Sequence, residues 1–236
     1  FRDGEAGGLR TGNRVEEKEA VMYRIGIIDD AESERADIQV SVLDNAGWDA
    51  EIEFKEYELE NRTREDIVAE IRRDVEEGNI HALIVDFKLD TTADVIKGWE
   101  IIEFMHEETP EFPVVIMTNA PDESKESQYT DADKVYAKKV FLRPELEATK
   151  ELVKNIVLNM EKYVSRRKDL EARLEIELKK LDRNGASEDA LKEVIRIENE
   201  LSRYKQIYQT RVDKALDLSD LKDAFEELEK YEKLLR

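Results

Sequence analysis

The stretch Tyr23–Asp30, YRIGIIDD, decides how the rest of the chain is read. It is too short for a helix, almost wholly apolar, and closed by two acids, so it predicts a buried strand, Tyr23–Ile28, with Asp29 and Asp30 at its C-terminal end. Working outward, Ile38, Val42 and Leu43 predict a helix over Glu32–Leu43, and the alternation of Trp48–Tyr57 predicts a less buried strand. Ile67, Val68, Ile71 and Val75 give Arg64–Val75 helical spacing, closed by Gly78. A third strand is predicted at Ala82–Val85, running into Asp86. A helix at Trp99–Met105 and a strand at Val114–Met117, ending at Thr118, follow. The polar run Pro121–Asp133 reads as poorly ordered, and a short strand at Val135–Ala137 ends in Lys138-Lys139. Strands alternating with helices imply parallel crossovers, hence an α/β, doubly wound, five-stranded parallel sheet.

Such sheets hold their ligands at the carboxyl ends of the strands. Here those ends carry Asp29 and Asp30, Asp86, Thr118, and Lys138 or Lys139. Each has a plain structural reading taken singly; the acid pair, for example, suits an N-cap. Together and in this order they describe one ionic site. Converging carboxylates repel one another unless a cation sits among them, and oxygen-only donors favour Mg2+. A carboxylate flanked by metal, ammonium and hydroxyl is what phosphoryl transfer to that carboxylate requires, because the developing negative oxygens must be neutralised.

The runs RIGIIDD, ALIVDFKL, MTN and ADKVYAKK, in that order, resemble the receiver domain of two-component response regulators over about Tyr23–Leu158. The resemblance implies a flavodoxin-like receiver fold and Mg2+-dependent transfer of a phosphoryl group from a histidine kinase or phosphotransfer protein to Asp86. Asp29 and Asp30 would correspond to the metal-binding pair, completed by Asp86 and the backbone carbonyl of Lys88. Thr118 would hydrogen-bond the phosphoryl oxygen, and the lysine would pair with Asp86 and then with its phosphate. The family's lysine is followed by proline, whereas Lys138 is followed by Lys139 and Lys139 by Val140. The ADK segment aligns Lys138 with the family lysine, the placement of Tyr136 aligns Lys139, and both are carried. The loop FKLDTTADVIKG before Gly98 is longer than usual, and Asn119 replaces a small residue.

Beyond the receiver-like part, Leu152, Val153, Ile156, Val157, Met160, Tyr163, Val164, Leu170, Leu174, Leu178 and Leu181 recur mostly at steps of three and four. They predict one long helix, with Pro144 in its first turn and a stop at Asp182–Gly185. Ser187 then caps a second stripe, Leu191–Val212, and Leu221–Leu235 forms a third. The expected organisation is a leader over 1–21, a receiver over 22–150, and a helical hairpin or coiled-coil extension over 151–236. Arg166 and Arg167 interrupt the first stripe, which argues against a long uninterrupted zipper but leaves room for a homodimer.

Composition narrows the functions. The 236 residues carry a formal charge of −20, of which −19 lies in residues 1–150 and −1 in the rest. So negative a surface repels phosphate backbones, and nucleic-acid binding is not expected. No apolar run is long enough to span a membrane. No cysteine is present, and two histidines, His81 and His106, offer little to zinc or imidazole chemistry. A cytoplasmic location is expected, without enzymatic activity beyond self-phosphorylation and dephosphorylation of Asp86. The extension contains no histidine and so no phospho-accepting histidine bundle; an unidentified output protein is its expected partner. Two further readings stand beside the switch: a phosphorylation-independent pseudo-receiver scaffold, and an aspartate-nucleophile phosphatase. The latter wants a second aspartate where Lys88 stands.

Overall fold

A computed structural model describes residues 22–47, 51–89, 96–126, 134–184 and 188–206. The expected leader, the loop residues 90–95, the cap at Ser187, and the stripes beyond Gln206 lie outside these. Five strands, β1 (Met22–Ile28), β2 (Glu51–Glu56), β3 (Ala82–Asp86), β4 (Val114–Thr118) and β5 (Val135–Ala137), form one sheet in the order β2-β1-β3-β4-β5. Every pairing is parallel. This is the doubly wound, flavodoxin-like arrangement that receiver domains share, and the expected fold stands.

Alternation along the strands builds the two layers. Ile25, Ile27, Ala82, Ile84, Val115 and Met117 face α1 (Glu32–Asn45) and the first turns of a long helix, meeting Ile38, Val42, Val153, Ile156 and Met160. Ile28, Leu83, Val85, Val114 and Ile116 face α2 (Arg64–Glu77) and α3 (Gly98–Glu108), meeting Ile67, Ile71, Ile101 and Met105. Gly26 sits on this second face, where a Cβ would lie 2.8 Å from Leu83 Cδ1 and 2.9 Å from Tyr57 Cε2, so the close packing of β1 demands glycine. Helix α2 begins at a capping box in which the Thr63 hydroxyl accepts from Asp66 N–H and Asp66 accepts from Thr63 N–H. It ends at Gly78, whose φ of 73° closes the last turn.

Three expectations are corrected locally. Pro121–Glu126, read as poorly ordered, forms the short helix α4, and Lys138–Phe141 forms a single turn, α5. The long helix α6 runs Glu147–Asn184, so Pro144 lies in the turn before it and not in its first turn. Helix α7 spans Glu188–Leu201, after which the chain turns, so Tyr204 does not continue the second helical stripe.

The boundary expected at 150/151 does not divide two cores. Val153, Ile156 and Met160 belong to the sheet's own core, and α6 leaves it only beyond Tyr163. Further on, α6 and α7 pair as an antiparallel hairpin closed by Leu170, Ile197 and Leu201 and by the ion pairs Arg173–Glu193 and Arg166–Glu200. Its far end returns to the sheet. Tyr163 stacks on Tyr204, meets Phe112 edge-on, and donates through its hydroxyl to the Tyr204 carbonyl, while Glu111 N–H donates to the Arg203 carbonyl. Arg167, expected to break the apolar stripe, donates to the carbonyls of Val75 and Glu76 and caps the C-terminus of α2. Among the described residues no helix is long and apolar enough to cross a membrane.

Candidate functional site

Strand geometry brings together Asp29 after β1, Asp86 at the end of β3, Thr118 at the end of β4 and Lys138 just after β5. All four are buried, at 1%, 6%, 0% and 2% exposure. The Lys138 ammonium lies 2.9 Å from Asp86 Oδ2 and 2.7 Å from Asp29 Oδ2, and also pairs with Glu34 on the first turn of α1. Of the two candidate lysines, Lys138 therefore reaches the acids, because α5 starts there and turns Lys139 outward to solvent.

The other carboxylate contacts are local. Asp29 Oδ1 accepts from Ala31 N–H at 3.0 Å, and Asp86 Oδ1 from Lys88 N–H at 3.3 Å. The Thr118 hydroxyl accepts from Ala120 N–H at 3.0 Å, leaving its proton available to donate. The Lys88 side chain points away to an exposed ion pair with Glu123. Asp30, expected beside Asp29, is exposed and lies outside the cluster; Glu34 takes its place. One carboxylate oxygen each from Asp29, Glu34 and Asp86 lie within 4.8 Å of one another.

Burial sets the electrostatics. It pushes the Asp86 carboxyl up to about 6, against the lowering effect of the Lys138 hydrogen bond and charge and with a further rise from Asp29. Asp29 is likewise raised by burial, against Lys138 and the Ala31 N–H. For Lys138, burial pulls downward, and the contacts with Asp29, Glu34 and Asp86 overcome it and hold the ammonium well above its ordinary value. The cup is thus a largely buried cluster of three acids and one base, with Glu34 at its partly exposed margin. Asp29 Oδ2 has no hydrogen-bond donor, the ammonium meeting it as an ion pair only. Three carboxylates around a single ammonium form an all-oxygen acidic donor set, which fits a hard divalent cation such as Mg2+.

One further requirement was visible in the sequence only as a loop end. Gly98 opens α3 directly against the backbone of Asp86, so the acceptor strand end and the α3 N-terminus are in contact.

No protein-family profile matches the sequence, and no curated protein matches it. Among solved structures, it is similar to a trimeric coiled-coil segment of yeast Spc42 fused to another structure, at 15% identity and a TM-score of 0.39. That likeness covers 78% of this chain and 96% of the other. It is also similar to a response regulator receiver domain from Rhodospirillum rubrum, at 21% identity and a TM-score of 0.36, over 60% of this chain and 94% of the other. The strand order and the two-faced core define a flavodoxin-like, doubly wound fold with a helical extension independently of these likenesses.

Proposed function

We propose that the chain is a two-component signalling receiver, acting in the cytoplasm, in which Asp86 accepts a phosphoryl group and the helical hairpin passes the change on through protein–protein contact. The observation that carries this reading is the Lys138 ammonium set between Asp29 and Asp86, brought together from the ends of β1, β3 and β5 of one parallel sheet. The donor is the phosphohistidine of a histidine kinase or phosphotransfer protein. An ionised Asp86 oxygen attacks phosphorus, the P–N bond breaks, and its electron pair returns to the imidazole, leaving an acyl phosphate on Asp86. Asp29, Asp86 and neighbouring oxygens would hold Mg2+, which supplies charge neutralisation for the phosphoryl oxygens. Lys138, already against Asp86, pairs with one of those oxygens, and Thr118 donates its hydroxyl proton to another.

The test is intact-mass spectrometry after incubation with a small phosphoramidate donor and Mg2+. One phosphoryl group should be gained by the wild type and none by Asp86→Asn, and a light-scattering change on phosphorylation would report an assembling hairpin. Equal masses for donor-treated and untreated wild type would sink the proposal.

A second reading has its own support. Lys138 already neutralises part of the acid cluster, as a phosphorylation-independent scaffold would require. Unchanged partner binding or dimerisation in Asp86→Asn, together with absent phosphorylation, would favour it.

A further inference from the structure

We infer that α3 links the acceptor to the hairpin, so that loading of Asp86 releases the strap Ser202–Gln206 with which the hairpin closes back onto the sheet. The inference rests on the reading of Asp86 as a phosphoryl acceptor and names how that site is read out.

Both ends of α3 are engaged. At its start, Gly98 lies so close to Asp86 that a Cβ there would fall 1.7 Å from the Asp86 carbonyl oxygen. At its end, 11 residues and about 16 Å further on, Glu108 offers one carboxylate oxygen to Arg72 of α2 and the other to the Gln206 amide. Glu111, in the turn that follows, pairs with Arg203 and donates its N–H to the Arg203 carbonyl. Between Arg203 and Gln206, Tyr204 stacks on Tyr163 and accepts from its hydroxyl. Ile101, Ile102 and Met105 bury the middle of α3 in the close-packed core, which holds the helix as one body.

Proximity alone couples nothing; a coupler needs an element with two arrangements close in free energy. The strap is such an element. An ion pair whose side chains are 59% and 37% exposed, one glutamine amide, one partly exposed tyrosine and two hydrogen bonds to its carbonyls hold it to the rest. Exposed pairs of this kind add little each, and on release their polar groups return to water. Lys205 pairs with Glu171 inside the hairpin, so release of the strap leaves the hairpin whole.

A phosphoryl group on Asp86 adds negative charge beside the first turn of α3, where the helix dipole is positive, and draws the helix toward the cup. Glu108 and the turn at Glu111 then retreat from the strap. A small shift at one end suffices to switch an interface that is either docked or released.

The experiment uses the full chain with Mg2+ and beryllofluoride, which occupies an acceptor aspartate as a phosphoryl group would. Loading should quicken amide exchange at Glu111 by about fivefold or more, the lower end of ordinary coupling between sites. Coupling is reciprocal, so the double variant Arg203→Ala, Tyr204→Ala should bind beryllofluoride tighter by a similar factor. Arg167→Met, whose lost bonds run to α2, leaves the strap's contacts with Glu108 and Glu111 in place and should keep wild-type affinity. Thermal melts show whether the double variant is folded; if it is not, Arg203→Ala alone, which removes an exposed ion pair, takes its place. Unchanged or slowed exchange at Glu111, or wild-type affinity in the strap variant, would overturn the α3 link and leave the acceptor reading standing. Equal tightening in Arg167→Met would mean general loosening and would overturn it too. A wild type that binds no beryllofluoride and gains no phosphoryl group would overturn both.

Discussion

A Cβ placed on Gly98 would fall 1.7 Å from the carbonyl oxygen of Asp86 and 2.8 Å from its carbonyl carbon. The obstacle is backbone, so no rotamer change relieves it. Gly98→Ala should therefore displace the end of β3 or the start of α3, destabilising the protein by about 1–3 kcal/mol, the usual cost of overpacking. It should also slow phosphorylation of Asp86 more than that stability loss explains. Urea unfolding and the rate of phosphoryl uptake, measured side by side, check both parts.

Burial of Asp86 has a consequence for stability without metal. Its carboxyl titrates at about 6 in the fold against an ordinary value of 3.8 in a free chain. An acid raised in this way adds stability that is fully present below the unfolded value and is lost as pH rises through the folded one. The metal-free protein should lose up to about 3 kcal/mol from this group between pH 4 and pH 7, since each tenfold change in proton affinity between the folded and unfolded chain corresponds to about 1.4 kcal/mol. Asp86→Asn, whose amide oxygen still accepts from Lys88 N–H, should be the more stable protein in chelator at pH 8. Saturating Mg2+ should raise the melting temperature of the wild type more than that of the variant. A calorimetric pH series with and without Mg2+ decides the matter.

His81 works in the opposite sense. Its Nδ1 accepts the Arg24 N–H at 2.9 Å, which requires that nitrogen unprotonated, and burial followed by the charges of Arg167, Arg24 and Lys168 holds its pKa below the ordinary 6.5. A histidine lowered in the fold contributes stability above the unfolded value and loses it as pH falls. Unfolding free energy should thus fall below about pH 6.5 from this group. His81→Asn, which keeps an acceptor near the same place, should flatten the decline between pH 6.5 and pH 5, as read by denaturant midpoints.

How much of this was legible in the residues depends on how local the deciding force was. The strands, α1 to α3 and the strand-end acids followed from apolar periodicity, because one buried face fixes where a side chain points. Asp29 and Asp30 read alike in the sequence, yet a strand end sends neighbours to opposite sides, so Asp29 is buried and Asp30 exposed. Glu34 carried one faint signal, an acid one turn into the helix after an acidic strand end. Lys138 and Lys139 could not be separated until the chain was seen to turn into α5 at Lys138. The stripe through Tyr204 failed for a tertiary reason, since the aromatic contact with Tyr163 and Phe112 draws the chain out of helix after Leu201.

Arg167 ties the hairpin to the α/β domain at the opposite end of the sheet from the acidic cup. Its guanidinium donates to the Val75 carbonyl, which also accepts from Gly78 N–H, and to the Glu76 carbonyl, and it pairs with Glu171. The side chain is only 11% exposed, and burial, opposed by Tyr163 and Glu171, leaves its charge held firmly. Arg167→Met keeps most of the aliphatic stem and removes the donors, leaving Val75 with only its Gly78 N–H and Glu76 without the guanidinium, at a cost of about 1–3 kcal/mol. The loss should be concentrated where the donors were, so amide exchange should quicken at Gly78, Asn79 and Ile80, whose N–H groups close the same helix end. It should also quicken along α7, whose return to the sheet depends on the same stretch of α6. Lys138, Asp29 and Asp86 should keep their contacts, and phosphoryl uptake at Asp86 should be unchanged. Exchange that accelerates uniformly over the sheet would mean that Arg167 stabilises the whole fold instead of latching the hairpin to α2.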